Sequence, residues 1–312
     1  MRICIVYGGT SKERDVSISS GKSILKALSS EVSISGYDFN GDLDDLLDNV
    51  RKFDLVFNAL HGGDGENGKI QKFFYENNIK FTGSNANASE LAMDKHKAKK
   101  ICVNNKILTP DWLYYKKVIK LFQLEVEILR FCDTDIIIKP SDEGSSLGLS
   151  VVKDFDPKDK SKRMMLDESI SKCYEVSDNV MIEEYIYGRE LTVGILGNKI
   201  LPIVEIVPKN GFYDYDSKYI KGKSDYIVPA KRLSKDLEMN IYNNAMRIYE
   251  LIGCRHYARI DFRLSIDNQP YFLEVNTLPG FTDTSLFPMA ANAVGLAFED
   301  LIDKIIKLSL KK

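Results

Sequence analysis

The N-terminal part of the chain twice repeats an apolar run, a glycine-rich turn and a helix-like segment. The run RICIVY ends at Gly8 and Gly9 and is followed by apolar residues at near-helical spacing in residues 17–28. The run DLVFNAL ends before the polar loop 62–68, which a second helix-like segment follows. Alternating strands and helices of this kind build parallel sheets. We therefore predict an α/β fold that begins with a small parallel-sheet domain over residues 1–84.

Two further domains are predicted downstream. The chain has 312 residues, which is enough to bury more than one apolar core. A helix-like stretch at residues 89–106 and a strand that ends at Lys139 indicate a central domain over residues 85–180. Residues 181–312 form the predicted C-terminal domain. Its polar stretch 207–231, rich in Tyr, Lys and Gly, is longer than an ordinary connection and predicts a mobile lid.

Charge and composition exclude several classes of protein. Lys and Arg number 43 against 45 Asp and Glu, so the net charge of −2 gives no reason to expect nucleic acid or a membrane as partner. No apolar run approaches the roughly 18 residues that cross a bilayer. The N-terminus lacks the apolar core of a signal peptide, so we expect a cytoplasmic protein. The scattered cysteines lack a CxxC motif and predict reduced, buried thiols rather than disulfides or a zinc site: Cys4, Cys102, Cys132, Cys173 and Cys254.

Two familiar motifs lack either a required residue or the required structural context. Residues 21–23, Gly-Lys-Ser, match the end of a P-loop, but that motif requires glycine where the chain has Val16. Residues 144–148 satisfy GxSxG, the nucleophile elbow of hydrolases, which requires its serine at a sharp strand-to-helix turn. A strand-like segment follows Ser146 instead. We therefore expect neither a P-loop nor a hydrolase elbow.

A third motif stays open as an alternative. Residues 63–68 satisfy GxGxxG between a predicted strand and a predicted helix, a context typical of dinucleotide-binding turns. Asp64 and Glu66 inside this loop would repel a pyrophosphate. A dehydrogenase that uses this loop would bind NAD(H) and consume no ATP.

Two predicted strands near the C-terminus carry the polar residues best suited to chemistry. Period-two alternation gives them these apolar faces: Ala258, Ile260, Phe262 and Leu264 in the first, and Tyr271, Leu273 and Val275 in the second. If the strands pair, Asp261, Glu274 and Asn276 share the opposite surface and form a hard oxygen site suited to Mg²⁺ bound with phosphates. Arg259 beside them could stabilise negative charge on a reacting oxygen. The alternative is a solvated face of ion pairs.

A loop and a helix add further candidates for a nucleotide site. Residues 141–148 are small, follow a strand that ends in Lys139, and have backbone N–H groups that could approach phosphates. Lys95 and Lys99 share one face of the predicted helix. A flexible surface loop and solvated lysines are the alternatives. Together with the oxygen site, these features favour a nucleotide site without a P-loop.

Six segments, in their order along the chain, match a known family: GGTSKERDVS, HGGDGENGKIQ, GSNANASELAMDKHKAK, IIIKPSDEGSSLGLS, GFYDYDSKY and FLEVNTLPGFTDTSLFPMAA. Over essentially its whole length the sequence resembles the D-alanine–D-alanine ligases of the ATP-grasp superfamily. The last three segments are typical of these ligases rather than of ATP-grasp enzymes in general.

The resemblance implies an ATP-grasp fold, α/β in class and α+β overall, with a Rossmann-like N-terminal domain. It implies ATP-dependent ligation of two D-alanines to D-alanyl-D-alanine through a D-alanyl phosphate, for peptidoglycan synthesis. The implied cofactors are ATP and two Mg²⁺ (or Mn²⁺) ions. A cytoplasmic homodimer without nucleic acid or membrane partners is also implied.

By motif match, the resemblance implies that ATP lies between the central and C-terminal domains. The implied ATP contacts are Lys95, Lys139, Glu143, Gly144, Ser145, Ser146, Glu183, Glu184, Tyr185, Ile186, Glu190 and Lys218. Among them Lys95 and Lys139 would contact phosphates, residues 183–186 would form the hinge at the adenine, and Glu190 would hold the ribose hydroxyls. The implied metal ligands are Asp261, Glu274 and Asn276, with Glu274 bridging the two ions.

The remaining implied roles concern D-alanine and the reacting atoms. The implied catalytic residues are Glu13, Ser145, Lys218, Tyr219, Arg259 and Gly280, and the implied substrate contacts are Glu13, His61, Ser285 and Leu286. Arg259 and the Gly280 N–H would form an oxyanion hole. Tyr219 would join Ser145 and Glu13 through hydrogen bonds, and it argues for D-alanine rather than D-lactate as second substrate.

Some positions depart from the common pattern of the family. The hinge has Glu184 and Tyr185 where Lys-Trp is frequent, which leaves the stacking geometry of adenine open. Arg189 and Asp142 receive no role beyond solvated surface. A catalytically silent nucleotide-binding regulator is the non-enzyme alternative, but such a protein would not need the complete set of metal and oxyanion residues.

Overall fold

A three-stranded parallel sheet forms the N-terminal part of the computed structural model. Strand β1 (Arg2–Gly8) lies between β2 (Ser33–Phe39) and β3 (Leu55–Asn58), and both pairings are parallel, as predicted. Among the described residues, the segment after the third helix joins this sheet through one isolated bridge, between Val56 and Phe81. The structure describes residues 1–28, 33–116, 124, 127–129, 135–209, 222–282 and 284–311.

The helices of this part follow from local sequence signals. Helix Arg14–Ala27 contains the Gly-Lys-Ser triplet in its interior, so these residues form no phosphate loop. Helix Leu43–Val50 begins after Asp42, whose carboxylate accepts from the N–H groups of Asp44 and Asp45. A 3₁₀ turn precedes helix Lys69–Glu76.

A four-stranded antiparallel sheet forms the middle of the molecule. It consists of β4 (Trp112–Lys116), β5 (Ile136–Pro140), β6 (Ser150–Val152) and β7 (Asn179–Glu184), in the order β4-β7-β5-β6. Helix Lys160–Tyr174 packs on it through Leu166 and Ile170. The predicted boundary after residue 180 falls inside β7, because hydrogen bonds to β4 and β5 keep the whole strand in this sheet.

A six-stranded antiparallel sheet forms the third part. Its strands are β8 (Gly188–Leu196), β9 (Lys199–Ile200), β10 (Val204–Pro208), β11 (Ser224–Ile227), β12 (Tyr257–Ser265) and β13 (Pro270–Asn276). The order is β11-β10-β8-β12-β13, and β9 pairs with β8. Helix Lys235–Ile252 covers one face.

Two short helices stand where one was predicted over residues 89–106. Helix Ala86–Met93 ends at Asp94, whose carboxylate accepts from Lys97 N–H and begins helix Lys95–Asn104. Ala88, Ala98 and other buried residues of both helices pack on the six-stranded sheet rather than on the four-stranded one. Both helices, which the prediction assigned to the central domain, therefore belong to the core of the C-terminal part.

A bulge between β12 and β13 corrects the predicted strand faces. Asp261 pairs with Glu274, but Phe262 pairs with Phe272, so Leu273 is an extra residue. Strict alternation put Leu273 on the apolar face; instead Phe272 and Val275 enter the core with the predicted residues of β12. Leu273 faces the same cavity as Glu274.

The N-terminal sheet is joined to the C-terminal part by a shared apolar core. Ile3 and Ile5 of β1 pack in one cluster with Tyr257, Phe281 and the terminal helix Phe298–Leu310. The short helix Leu286–Asn292 belongs to the same cluster. This core holds the loops after β1 and β3 beside the end of β13.

The described cysteines agree with the predicted reduced thiols. Cys4, Cys102, Cys173 and Cys254 are buried and free, and burial raises the pKa of each thiol to about 12. Cys132 lies outside the described residues. Within the described ranges, every helix is too short or too polar to traverse a lipid bilayer.

Candidate active site

Two cavities meet at one ion pair. The first lies between the four-stranded and six-stranded sheets, and the second lies between the N-terminal part and the ends of β12 and β13. Lys95 and Glu274 line both cavities, and Lys95 Nζ lies 3.2 Å from Glu274 Oε2. Lys95 is only 6% exposed. A charged pair at the junction would contact ligands bound on either side.

Most of the predicted residues that the structure describes line one of these cavities, whereas Asp261 lines neither and accepts hydrogen bonds from Thr192 and Arg259. The first contains Lys95, Lys139, Glu143, Ser146, Glu183, Glu184, Tyr185, Ile186, Glu190 and Glu274. The second contains Glu13, His61, Lys95, Gly144, Ser145, Arg259, Glu274, Asn276, Gly280, Ser285 and Leu286. Lys218 and Tyr219 lie outside the described residues, as does most of the predicted lid.

Lysines at the first cavity are held by one buried carboxylate. Glu183 is fully buried and contacts Lys139 at 2.6 Å through one oxygen and Lys99 through the other. Burial alone would raise the pKa of Glu183, but the charges of Lys139 and Lys99 outweigh it and hold the pKa below its ordinary value. Lys99 is itself fully buried beneath the Trp112 ring, and burial lowers its pKa. The sequence offered Lys99, with Lys95, as a candidate for the nucleotide site or else as a solvated lysine; the structure instead buries it against Glu183.

The loop over residues 141–148 is fixed at its start and strained at its centre. Lys95 donates through its backbone N–H to Ser141 O at 2.8 Å and through Nζ to Glu143 O at 2.7 Å. Ser145 and Ser146 have φ of 52° and 58°, in the left-handed region that non-glycine residues avoid. Strand β6 follows the loop, which excludes a nucleophile elbow.

Asp142 and Arg189 are not the solvated surface residues that the sequence suggested. The Asp142 carboxylate accepts from Ser177 Oγ at 2.5 Å and from Asn179 Nδ2 at 2.6 Å, which ties the loop to the start of β7. Arg189 forms a two-point ion pair with Glu205 at 2.7 and 2.6 Å, away from both cavities. The partners lie far away in the sequence, so no local sequence pattern predicted these contacts.

Glu13 lies in a narrow space between two glycines in the second cavity. Its side chain is buried. A Cβ at Gly62 would lie 3.1 Å from Glu13 Oε1, and one at Gly144 would lie 3.0 Å from the same oxygen. Gly62 also has a φ of 68°, which favours glycine. The two glycines therefore let the loops after β3 and β5 close around this carboxylate.

His61 is oriented by partners on both ring nitrogens. Nε2 lies 3.1 Å from Ser20 Oγ, and Nδ1 lies 3.3 Å from Glu66 Oε1. Ser20 Oγ also accepts from Phe281 N–H at 3.1 Å. This chain of contacts connects the N-terminal helix to the segment that carries Gly280.

Arg259, Gly280 and Ser285 form the far wall of the second cavity. Arg259 donates to both oxygens of Asp261, at 2.9 and 2.8 Å. A Cβ at Gly280 would lie 2.8 Å from Ser285 Oγ, so a larger residue there would have to displace this hydroxyl. Ser285 Oγ in turn accepts from Thr282 N–H at 2.9 Å. The arrangement directs a cation and hydroxyl groups into one small polar space.

The donor set on β12 and β13 fits a hard divalent cation. Asp261 and Glu274 are direct cross-strand partners, and Asn276 is opposite Arg259. Asn276 Oδ1 accepts from Leu278 N–H at 3.0 Å. Among the described residues, no group of three His, Cys, Asp or Glu side chains could hold a metal. The ligand set predicted from the sequence is of a different kind, with two carboxylates and one amide. Such oxygen donors match Mg²⁺ when phosphates complete its coordination.

Residues of the GxGxxG loop contact other residues of the protein. Asp64 pairs with Lys69 at 2.6 Å, and Glu66 contacts His61. A Cβ at Gly68 would lie 2.5 Å from Ala86 O, which shows that this glycine permits close packing on the next helix. Packing of this kind explains the glycine without a dinucleotide.

Comparisons with known proteins identify relatives of this chain. The family model described as "D-ala D-ala ligase C-terminus" matches residues 112–307. A D-alanine–D-alanine ligase of Halalkalibacterium halodurans is 42% identical, with all of both chains covered, and that of Aquifex aeolicus is 39% identical over 98% of this chain and all of its own.

Solved structures are similar as well. The D-alanine–D-alanine ligase of Bacillus anthracis complexed with ATP has a TM-score of 0.84 at 32% identity, covering 99% of this chain and 97% of its own. The VanG D-Ala:D-Ser ligase of Enterococcus faecalis has a TM-score of 0.80 at 29% identity, covering 99% of both. The chain belongs to the D-alanine–D-alanine ligase family.

Proposed function

We propose that this protein joins two D-alanine molecules into D-alanyl-D-alanine with the conversion of ATP to ADP and phosphate. The observation that carries this proposal is the meeting of the two cavities at Lys95 and Glu274. A reaction between a nucleotide and a small acid needs the two bound side by side with their reacting atoms in contact.

Several features support ATP as the ligand of the first cavity. Lys95 and Lys139 supply positive charge for phosphates, while Ile137, Leu149 and Leu273 supply apolar surface for a base. A relative of this chain has been solved with ATP. We assign the triphosphate to the lysine end and the adenine to residues 183–186.

The second cavity suits two small amino acids. The Glu13 carboxylate is buried there and would bind the ammonium group of the first D-alanine. Ser285 and Leu286, at the opposite wall, would hold the carboxylate of the second. His61 would orient the first substrate through its fixed ring.

The reaction has two steps in this arrangement. A carboxylate oxygen of the first D-alanine attacks the γ-phosphorus, and the bond to ADP breaks with its electron pair leaving on ADP. The ammonium group of the second D-alanine releases a proton to solvent, and its free amine attacks the acyl carbon of the D-alanyl phosphate. Arg259 and the Gly280 N–H hold the oxyanion, and the carbon–oxygen bond to phosphate then breaks.

Asp261, Glu274 and Asn276 would hold the two divalent cations implied by the family. Mg²⁺ bound there would neutralise charge on the phosphoryl oxygens. Lys95 and Arg259 already balance two of these side chains, so the site accommodates positive charge on each carboxylate. The homodimer and the cytoplasmic location stay predictions.

A phosphate-release assay tests the proposed function. Purified protein with Mg-ATP should release phosphate when D-alanine is present, and mass spectrometry should detect the dipeptide. L-alanine, D-lactate, D-serine and no substrate are the comparisons, and NAD(H) binding tests the dehydrogenase alternative. Folded protein that releases no phosphate with D-alanine would contradict the proposal, and ATP binding without turnover would favour the regulator.

A further inference from the structure

Arg263 is a largely shielded cation in the first cavity that the reaction above leaves without a role. It lies on β12 two residues beyond Asp261 and pairs across the sheet with Glu190 of β8. Its side chain is 14% exposed. A guanidinium held this far from water requires strong partners, so those partners indicate what it does.

Three nitrogen atoms of Arg263 donate hydrogen bonds to three different residues of the first cavity. Nε donates to Ile186 O at 2.9 Å, Nη1 donates to Glu190 Oε2 at 3.1 Å, and Nη2 donates to Tyr185 OH at 3.1 Å. The guanidinium also lies 5.5 Å from the centre of the Tyr185 ring. All four residues line the first cavity. One side chain therefore joins the hinge backbone, the hinge aromatic ring and a carboxylate.

The hinge ring is also held from its other side. Tyr187 makes an edge contact with Tyr185, with ring centres 4.8 Å apart, and donates its hydroxyl to the buried Asp135. Tyr185 N–H donates to Asp135 O at 3.1 Å. Tyr185 would therefore keep its position if Arg263 were removed. Glu190 is the side chain that we expect to change its orientation.

We propose that Arg263 is a positioning residue for nucleotide selection, which orients the Glu190 carboxylate toward the ribose hydroxyls and fixes the hinge at the base. This inference rests on the proposed function for the identity of the nucleotide. A charge-assisted hydrogen bond fixes the direction of a carboxylate. Without it, Glu190 loses its preferred orientation and the sugar is recognised less well.

Calorimetric titration of the full chain tests the proposal without any ligation. The ligands are a non-hydrolysable ATP analogue and its 2′-deoxy counterpart, each with Mg²⁺. Arg263→Met keeps the apolar stem and removes every donor, while Arg263→Lys keeps the charge and loses the fork. We expect the native chain to prefer the ribose form, and the preference to fall about tenfold in Arg263→Met, with Arg263→Lys intermediate.

Arg189→Met is the matched control, because Arg189 also forms a two-point ion pair on the same sheet but away from the cavities. It should keep the native preference. If Arg263→Met keeps that preference, or weakens both ligands equally, Arg263 is structural only and the proposal fails. If Arg263→Met does not fold, Arg263→Lys decides by the same criterion. A native chain that binds the analogue but makes no dipeptide would overturn the ligase function and leave this test intact.

Discussion

The two cavities differ in what holds their charged groups. In the first, Lys99, Lys139 and Glu183 form a buried cluster whose members pair with one another. In the second, Glu13 and Ser285 are set among glycines and hydroxyl groups, and Arg259 is held by Asp261. The first arrangement fixes positive charge for a large anion, whereas the second leaves room for small zwitterions. Substitutions should therefore affect one ligand, the other, or both, according to position.

Glu274→Gln should have the largest effect, because Glu274 lines both cavities. The change removes the negative charge opposite Asp261 and leaves Lys95 without its ion pair. We expect turnover with Mg-ATP and D-alanine to fall at least about a hundredfold. Glu205→Gln, which breaks an ion pair outside both cavities, should keep turnover within about twofold. A Glu274→Gln protein with most of its activity would mean that the reaction occurs elsewhere.

Lys99→Met should lower the stability of the folded protein, because it breaks the buried cluster beside the first cavity. Removing one partner of a buried pair leaves Glu183 with only Lys139, and we expect the free energy of unfolding to fall by about 3 kcal/mol. Urea unfolding measures this change. Lys97→Met, on the same helix but in half-exposed ion pairs, should change it by less than about 0.5 kcal/mol. Equal effects of the two substitutions would contradict the buried cluster.

Ser285→Ala should affect the second cavity alone. The change removes a hydroxyl that accepts from Thr282 N–H and faces the cavity. We expect the KM for D-alanine to rise about tenfold while the KM for ATP stays within about twofold. Ser171→Ala, on an exposed helix position, is the control. A rise in the KM for ATP instead would mean that the cavities are assigned the wrong way round.

His256→Gln should affect neither cavity and should alter the pH dependence of stability. Burial, with a smaller contribution from Arg255, lowers the pKa of His256 to about 4, and its Nδ1 accepts from Gly83 N–H. The unfolded chain binds this proton near pH 6.5, so the contribution is complete above that pH and is lost as the pH falls toward 4.

Urea unfolding at about pH 5 and about pH 7.5 measures the effect of His256→Gln. The native chain should lose about 2 kcal/mol more on acidification than the variant does. Turnover per folded molecule should stay the same at neutral pH. An identical pH dependence in both proteins would show that His256 is not buried in its neutral form.

Periodicity predicted the parts of the site that lie in regular strands. The alternation in β12 assigned Asp261 and Arg259 to the polar face correctly, because β12 pairs with β8 without a break and the extra residue of the bulge lies in β13. The same rule was wrong for Leu273, since a bulge shifts the register by one residue. No local signal in the sequence marks that bulge.

Contacts between distant residues were beyond sequence reasoning. Lys99 meets Glu183 and Arg263 meets Ile186 only after the two sheets have packed together. The break at Asp94, by contrast, had a readable signal, because aspartate three residues before Lys97 is a typical helix cap. The order of motifs predicted the family, whereas side-chain pairing required coordinates.

The proposed function requires that ATP and D-alanine react with each other at one site. The most direct test follows an oxygen atom of the D-alanine carboxylate into the released phosphate. D-alanine whose carboxylate carries heavy oxygen is incubated with Mg-ATP, and the released phosphate is analysed by mass spectrometry. If the carboxylate attacks the γ-phosphorus where the cavities meet, one phosphate is released for each dipeptide formed, and that phosphate carries one heavy oxygen. Phosphate without heavy oxygen would show that water attacked ATP, and would contradict the account.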